Sequence, residues 1–390
     1  MRKGVVNIQI IKHILWRYIL KRIIIIRDNP VSPDTRVEKI ADSLLIAGYS
    51  VTLLAWDRDE NYRIKCSQLL LPRNKVDIIR FGIKASFGDG IKNLFPFCVF
   101  QIKMFIWLIK NRNAYDVIHA CDLYTALTSF ICAKILRKRI VFDIFDFLGD
   151  INEAGLSRLL AKIQYKLINN VNATIICSEQ RKEQIRGSSP KKLEIIHNSP
   201  QNADIQEMYN LNKDKIKIVY VGILQEKRYL REMADILRTL NNVELHIGGF
   251  GKLEPYFKQL ASRNTNVFFY GKMQYHETLS LEKSCDIMTA VYDPSVRNHY
   301  FAAPNKFYEA LLLGKPLVMI KNTGMSSIVA DNKIGELSDY NVESLKEAFR
   351  RIIQRKNEWE SISERMKKIY EKDFSWDKME KRLVDLYRAI

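Results

Sequence analysis

Lys215–Gly222 reads KIKIVYVG, an apolar run rich in β-branched residues that closes on a glycine. Such a run predicts a strand buried on both faces of a parallel sheet. It also restarts a pattern. A helical segment at Tyr229–Leu240 follows, then VELHIGGFG (243–251), a helix to Leu260, NVFFYG (266–271), a helix to Lys283 and CDIMTAVY (285–292). The alternation ends with a helix inside FAAPNKFYEALLLGKP (301–316), then KPLVMI and IGELSD. Upstream, the same alternation runs from RIIII (22–26) through a helix at Arg36–Ala47, YSVTLLAW, KVDIIRFG, YDVIHA, KRIVFDIF and ATIICS to KLEIIHN. The chain therefore reads as two doubly wound α/β domains, residues 1–200 and 201–373, joined through the polar, irregular segment 199–214. Phe374, Trp376, Met379, Leu383 and Leu386 recur at helical spacing, which predicts that 374–390 is a helix packing back on the N-terminal domain.

At 390 residues the length admits two or three domains, and the segment order favours two. The formal charge of +18 points to anionic partners: nucleic acid, a membrane surface or a phosphorylated substrate. Residues 1–27 carry seven cations and no carboxylate among apolar residues, and NLFPFCVFQIKMFIWLIKNRNAY (93–115) is similar. Neither supplies the roughly 20 unbroken apolar residues of a spanning helix, so both are read as surfaces for anionic lipid. The N-terminus lacks a cleavage pattern for secretion, and six dispersed cysteines without a CxxC pair fit a reduced cytoplasmic protein with no zinc site. The aromatic residues near the basic runs are mixed with Ile, Leu and Val rather than spaced as stacking platforms, so no nucleic acid is expected.

YVGIL and IGGFG place Gly222 and Gly249 at strand ends, where backbone N–H groups meet ligands. Neither has the GxGxxG arrangement, and no GxxxxGK[ST] is present, which disfavours nicotinamide enzymes and P-loop nucleotide hydrolases. Lys227 and Arg228 follow Gly222, and Lys306 follows Pro304; cations at strand ends suit a diphosphate. Glu309, one turn beyond Asn305, is an acceptor-only group suited to sugar hydroxyls. A nucleotide-sugar carries both features side by side. In the N-terminal half His119 and Asp122 follow one strand and Asp143, Asp146 and Asp150 the next; His119 either meets substrate or caps its strand.

DNPVSPDTRVEKIADSLLIAGYSVTLLAWDRD, DVIHACD, YVGIL, APNKFYEALLLGKPLV and FSWDKMEKRLVDLY together resemble the retaining glycosyltransferases of the GT-B fold, in the large fourth sequence family that builds surface polysaccharides and lipopolysaccharides. The resemblance implies a UDP- or GDP-sugar donor held by the C-terminal domain, no metal, and no permanently bound cofactor. It puts the ribose contact on Glu309 and places Lys306 and the backbone of its block near the donor. The diphosphate contact falls on Arg228, with Lys227 as competitor, and His119 and Asp122 belong to the cleft. Asp34 and Arg36 fall on the acceptor side. Phe301 and Phe145 stand where many members have Glu and His. The expected partner is a lipid-linked or other glycan acceptor at the inner face of the cell membrane. A nucleotide-sugar epimerase or hydrolase, an inactive partner protein and a basic binding protein are the alternatives.

Overall fold

The computed structural model describes residues 21–85, 90–150, 154–201 and 205–390. Of the first basic stretch, residues 1–20 lie outside the described residues, while Arg22–Arg27 is the central strand β1 rather than a surface segment. Its four isoleucines are buried on both faces, which is why an unbroken apolar run sits here. Beside it lie β2 (Ser50–Asp57), β3 (Tyr62–Leu70), β4 (Lys75–Gly82), β5 (Val117–Cys121), β6 (Arg139–Ile144), β7 (Ala173–Ile176) and β8 (Leu193–Ile195). Their order is β3-β4-β2-β1-β5-β6-β7-β8, parallel except for the antiparallel β3–β4 pair. β3 was not legible as a strand. YRIKCSQLL is polar and largely exposed because it forms the sheet edge, where an apolar face would invite pairing with other chains.

KIKIVYVG supplies β9 (Ile216–Ile223), the centre of the second sheet. With β10 (Val243–Phe250), β11 (Val267–Phe269), β12 (Ile287–Ala290), β13 (Leu317–Ile320) and β14 (Gly335–Ser338) it forms the order β11-β10-β9-β12-β13-β14, all parallel. Each sheet reverses its winding once, between β1 and β5 and between β9 and β12. Ligands of open α/β sheets bind outside the strand carboxyl ends at these points.

The chain returns to the first domain at its end. Trp376, Met379, Leu383, Leu386 and Tyr387, one face of the helix Trp376–Ala389, share a core with Ile23, Ile25, Val37 and Leu44. Trp376 Nε1 donates to Ser43 Oγ (3.1 Å), and Ser43 Oγ donates to Glu380 (2.7 Å). Burial of these five side chains contributes up to about 10 kcal/mol at about 2 kcal/mol each, an upper bound that fixes the two domains' second connection. Where that connection crosses, Tyr370 Oη donates to the carbonyl of Pro200 (2.7 Å).

Candidate functional site

The C-terminal half of the site is built at the end of β9. Lys306, second residue of the helix Asn305–Leu313, reaches back so that its ammonium lies 4.5 Å from the Tyr220 ring centroid. A Cβ at Gly222 would stand 2.6 Å from that ammonium, so the glycine leaves room for the cation. Arg228 joins it: the guanidinium lies 4.9 Å from the Tyr292 ring centroid and donates to Tyr220 Oη at 3.4 Å. Among the described residues, neither cation lies within ion-pair distance of a carboxylate, and the buried Nε of Arg228 has no hydrogen-bond partner. Burial alone would depress both groups, but Tyr292 and Tyr220, with Glu309 adding for Lys306, more than offset it and hold each above its ordinary range. Two charged cations therefore converge without a carboxylate in direct contact, Glu309 acting on Lys306 only from beyond ion-pair distance.

The neighbouring candidates fall differently. Lys227 is exposed, with backbone φ of 63° turning its side chain outward while its carbonyl accepts from Asp293 N–H; it does not join the pair. Gly249 is also corrected. Its N–H donates to the Gly271 carbonyl (2.6 Å), and a Cβ there would stand 1.8 Å from the Gly222 carbonyl oxygen. The glycine is needed for β9 and β10 to end side by side, and its N–H is not free for a phosphate. Asn305 is exposed at the helix start, which has no side-chain cap.

Glu309 lies one turn further along that helix and is 4% exposed. The Tyr275 hydroxyl bonds to it, and burial raises its carboxyl above the ordinary range against the pull of Lys306 and Lys39. Lys39 comes from the other domain; burial, then Arg36, lowers it to about 7, and its ammonium donates to the Ser199 carbonyl. Glu282, which sequence reasoning missed, is 1% exposed beside this group, with Oε2 unpartnered. It sits in the last turn of the helix Tyr275–Ser284, beside Leu281 and without a motif to mark it.

In the N-terminal domain the winding reversal brings together Arg27 at the end of β1 and Asp122 after β5. Arg27 donates to Asp122 Oδ2 (2.5 Å) and Asp34 Oδ2 (2.9 Å), and the Phe145 ring covers its guanidinium at 4.3 Å. Asp122 Oδ1 accepts from the N–H groups of Phe145 (2.8 Å) and Asp146 (3.0 Å), so this carboxylate shapes the loop after β6. Burial, with Asp146 adding and Arg27 opposing, pushes it up to about 6. Its φ of 62° is a strained backbone for a non-glycine residue, of the kind found at ligand sites.

His119 is not at the cleft. β5 continues to Cys121, which leaves the histidine in mid-sheet at 0% exposure, Nδ1 2.6 Å from Tyr387 Oη and Nε2 3.4 Å from Asp143 Oδ2. Asp143 and Arg36 form a fully buried pair (2.8 Å), and Asp34 is the N-cap of the helix Thr35–Ile46. These three hold the domain together rather than line an opening.

Asp146 does face across. Its Oδ1 accepts from Asn298 Nδ2 (2.8 Å), and Arg297 pairs with Asp150 (3.0 Å), so the short turn Arg297–Tyr300 spans from the second domain to the loop after β6. Behind it, His197 Nδ1 meets Tyr308 Oη (2.9 Å) and Asn198 Nδ2 donates to the Ala303 carbonyl (2.9 Å). No group of three or more His, Cys, Asp or Glu side chains among the described residues could hold a metal ion.

Residues 201–370 match the family described as Glycosyl transferases group 1. No curated protein matches the sequence. Among solved structures, the chain is similar to sucrose-phosphate synthase from Thermosynechococcus elongatus, at 16% identity and a TM-score of 0.75 over 95% of this chain and 98% of that one. It is also similar to HepE of Anabaena in complex with UDP-glucose, at 15% identity and a TM-score of 0.66 over 95% of this chain and 100% of the other. For WaaG, a glycosyltransferase involved in lipopolysaccharide biosynthesis, the values are 12% and 0.65 over 93% and 99%. The architecture is the GT-B fold, two Rossmann-like domains facing one another.

Proposed function

We propose that the protein transfers a glycosyl group from a nucleoside-diphosphate sugar to a hydroxyl of a glycan acceptor, with retained configuration and without a metal. The observation that carries this reading is the pair Arg228 and Lys306, charged and without an ion-pair partner at the end of β9. A donor diphosphate supplies a counter-charge in direct contact. As the bond between the anomeric carbon and its phosphate oxygen breaks, negative charge accumulates on the β-phosphate, and two pre-placed cations stabilise it without reorganisation. The acceptor hydroxyl arrives from the side of Arg27, Asp122 and Asp146. The solved HepE and WaaG likenesses support a UDP-sugar donor and a surface-glycan product. Titration calorimetry of the protein with UDP and with GDP tests the donor site, and NMR of the product reports the anomeric configuration. Failure to bind either diphosphate overturns the reading.

In the same reading Glu309 accepts the ribose diol, which takes the place of the Tyr275 hydroxyl. Glu309→Gln is expected to weaken donor affinity about 10- to 100-fold through loss of a charge-assisted bond. Unchanged affinity in a folded variant would move the ribose elsewhere.

The acceptor is read as lipid-linked because one face of the N-terminal domain suits an anionic bilayer. The neighbouring helices Leu94–Lys110, Leu123–Leu136 and Ala154–Asn170 contain no carboxylate. They expose Phe95 (78%), Ile102, Leu127, Ile135, Leu156 and Leu159 beside Lys103, Lys110 and Lys134. No helix among the described residues is long and apolar enough to cross a membrane. The proposed mode, carried by this exposed apolar and basic face, is peripheral at the cytoplasmic face. Vesicles containing phosphatidylglycerol are expected to sediment the protein at low salt, and Phe95→Ser with Ile102→Ser to release it. Equal recovery in the supernatant with anionic and neutral vesicles would refute the docking face.

A further inference from the structure

Among the described residues, His299 brings an imidazole beside the ring that carries Arg228, and its geometry leaves one nitrogen for a ligand. It lies on the turn Arg297–Tyr300, half-buried, its ring 5.4 Å from that of Tyr292 at 66°. Tyr292 is also the ring that carries the Arg228 guanidinium. The histidine therefore sits beside the proposed diphosphate position, while its neighbour Asn298 reaches Asp146 on the opposite domain. Nδ1 lies 3.0 Å from the Asp293 carbonyl oxygen. A carbonyl only accepts, so Nδ1 carries the proton and Nε2 presents a lone pair. Among the described residues Nε2 has no hydrogen-bond partner.

We infer that His299 Nε2 accepts a hydrogen bond from a hydroxyl of the transferred sugar. The inference rests on the donor site proposed above. The sugar is joined to the β-phosphate and must lie between that phosphate and the acceptor domain, which is the interval His299 occupies between Arg228 and Asp146. A sugar hydroxyl donates to a neutral imidazole, whereas a third cation here would add to the charge of Arg228 and Lys306. The charged and titratable groups that face the ring are Arg228, Asp146, Asp293 and Tyr292. Burial first, then Arg228, lowers its basicity despite the bond to Asp293, which keeps the ring neutral. Phe301, buried two residues on, offers no polar atom of its side chain to that sugar.

The test compares each diphosphate with its sugar conjugate. Calorimetric affinities for UDP, UDP-glucose, GDP and GDP-mannose are measured for the wild type, His299→Ala and His299→Gln, with thermal melts for each. For the pair that the wild type binds, His299→Ala is expected to weaken the sugar nucleotide about 5- to 20-fold and leave the free diphosphate within about 2-fold, as one lost sugar bond predicts. Glutamine, whose amide oxygen also accepts, is expected to restore part of the difference. Equal losses for diphosphate and sugar nucleotide would make His299 a structural or phosphate-side group and overturn the inference, as would unchanged affinity for both. A wild type that binds none of the four ligands overturns the donor site itself, and the inference falls with it, an outcome separate from any variant's.

Discussion

Arg228→Ala and Lys306→Ala are each expected to lower kcat by about 100- to 1,000-fold, the loss typical of removing one fixed group that stabilises developing charge. Donor KM is expected to move less, because the charge on the β-phosphate grows as the bond breaks and the cations matter most at that point. Arg228→Lys should recover only part of the rate, since an ammonium cannot keep both the Tyr292 face and the Tyr220 hydroxyl. Stability supplies a second, independent readout. Each cation is buried or half-buried without a carboxylate in ion-pair range, and each opposes the other's charge. Removing Arg228 therefore relieves repulsion, and Arg228→Ala is expected to melt at or above the wild-type temperature, whereas Lys306 also faces the buried Glu309 and Glu282, so the stability readout is taken on Arg228. Inactive but undiminished in stability is the signature of a site held ready for a ligand. Wild-type turnover in both variants would show that the diphosphate binds elsewhere, and a large drop in the melting temperature of Arg228→Ala would show that this cation serves the fold.

The sheets were readable because their central strands are buried on both faces, and RIIII and KIKIVYVG can satisfy that demand only as continuous apolar runs. The cation pair was readable for a related reason: Gly222 marks a strand end, and the residues after a strand end face the ligand side. What failed were assignments that depend on how far a strand continues or which way one side chain turns. VIHACD gives no sign that the strand extends two residues past His119, yet that extension moves the imidazole from the cleft into the core beneath Tyr387. Lys227 and Arg228 are adjacent, and only the backbone turn at Lys227 separates solvent from site. Gly248, Gly249 and Gly251 resemble a phosphate loop by composition, but Gly249 answers to the crowding of β9 against β10. His299 carried no motif at all. Its meaning arises from a carbonyl six residues earlier in the chain and a carboxylate on another domain.

The buried pair Arg36 and Asp143 is where a single substitution should cost the fold most. Arg36 donates to both oxygens of Asp143 (3.2 and 2.8 Å), to the Ile196 carbonyl (2.7 Å) and to Asn198 Oδ1 (2.8 Å), and Phe145 lies over its guanidinium at 5.0 Å. Arg36→Ala leaves Asp143, whose side chain is fully buried, with His119 as the basic partner still in range among the described residues. Stranding one member of such a pair typically costs about 3–5 kcal/mol. The sign of its pH dependence follows from Asp143, whose carboxyl is held below its ordinary range: burial would raise it, but Arg36, then His119, more than offset that. A depressed carboxyl contributes stability that is present above its unfolded value and lost as pH falls through the folded one. Without Arg36 the carboxyl is no longer depressed and protonates at higher pH. The variant's deficit, read by urea denaturation, should therefore be largest near neutrality and shrink in acid. Asp143→Asn, which removes the stranded charge but also the ion pair, should fall between wild type and Arg36→Ala. Because Arg36 also holds Ile196 and Asn198, and Asn198 in turn holds Ala303 of the second domain, the loss should reach the donor site as well. UDP affinity in Arg36→Ala is expected to fall although Arg36 touches no phosphate. A deficit below about 1 kcal/mol at neutral pH would mean that water replaces the guanidinium and that the pair is not what joins the two domains' geometry.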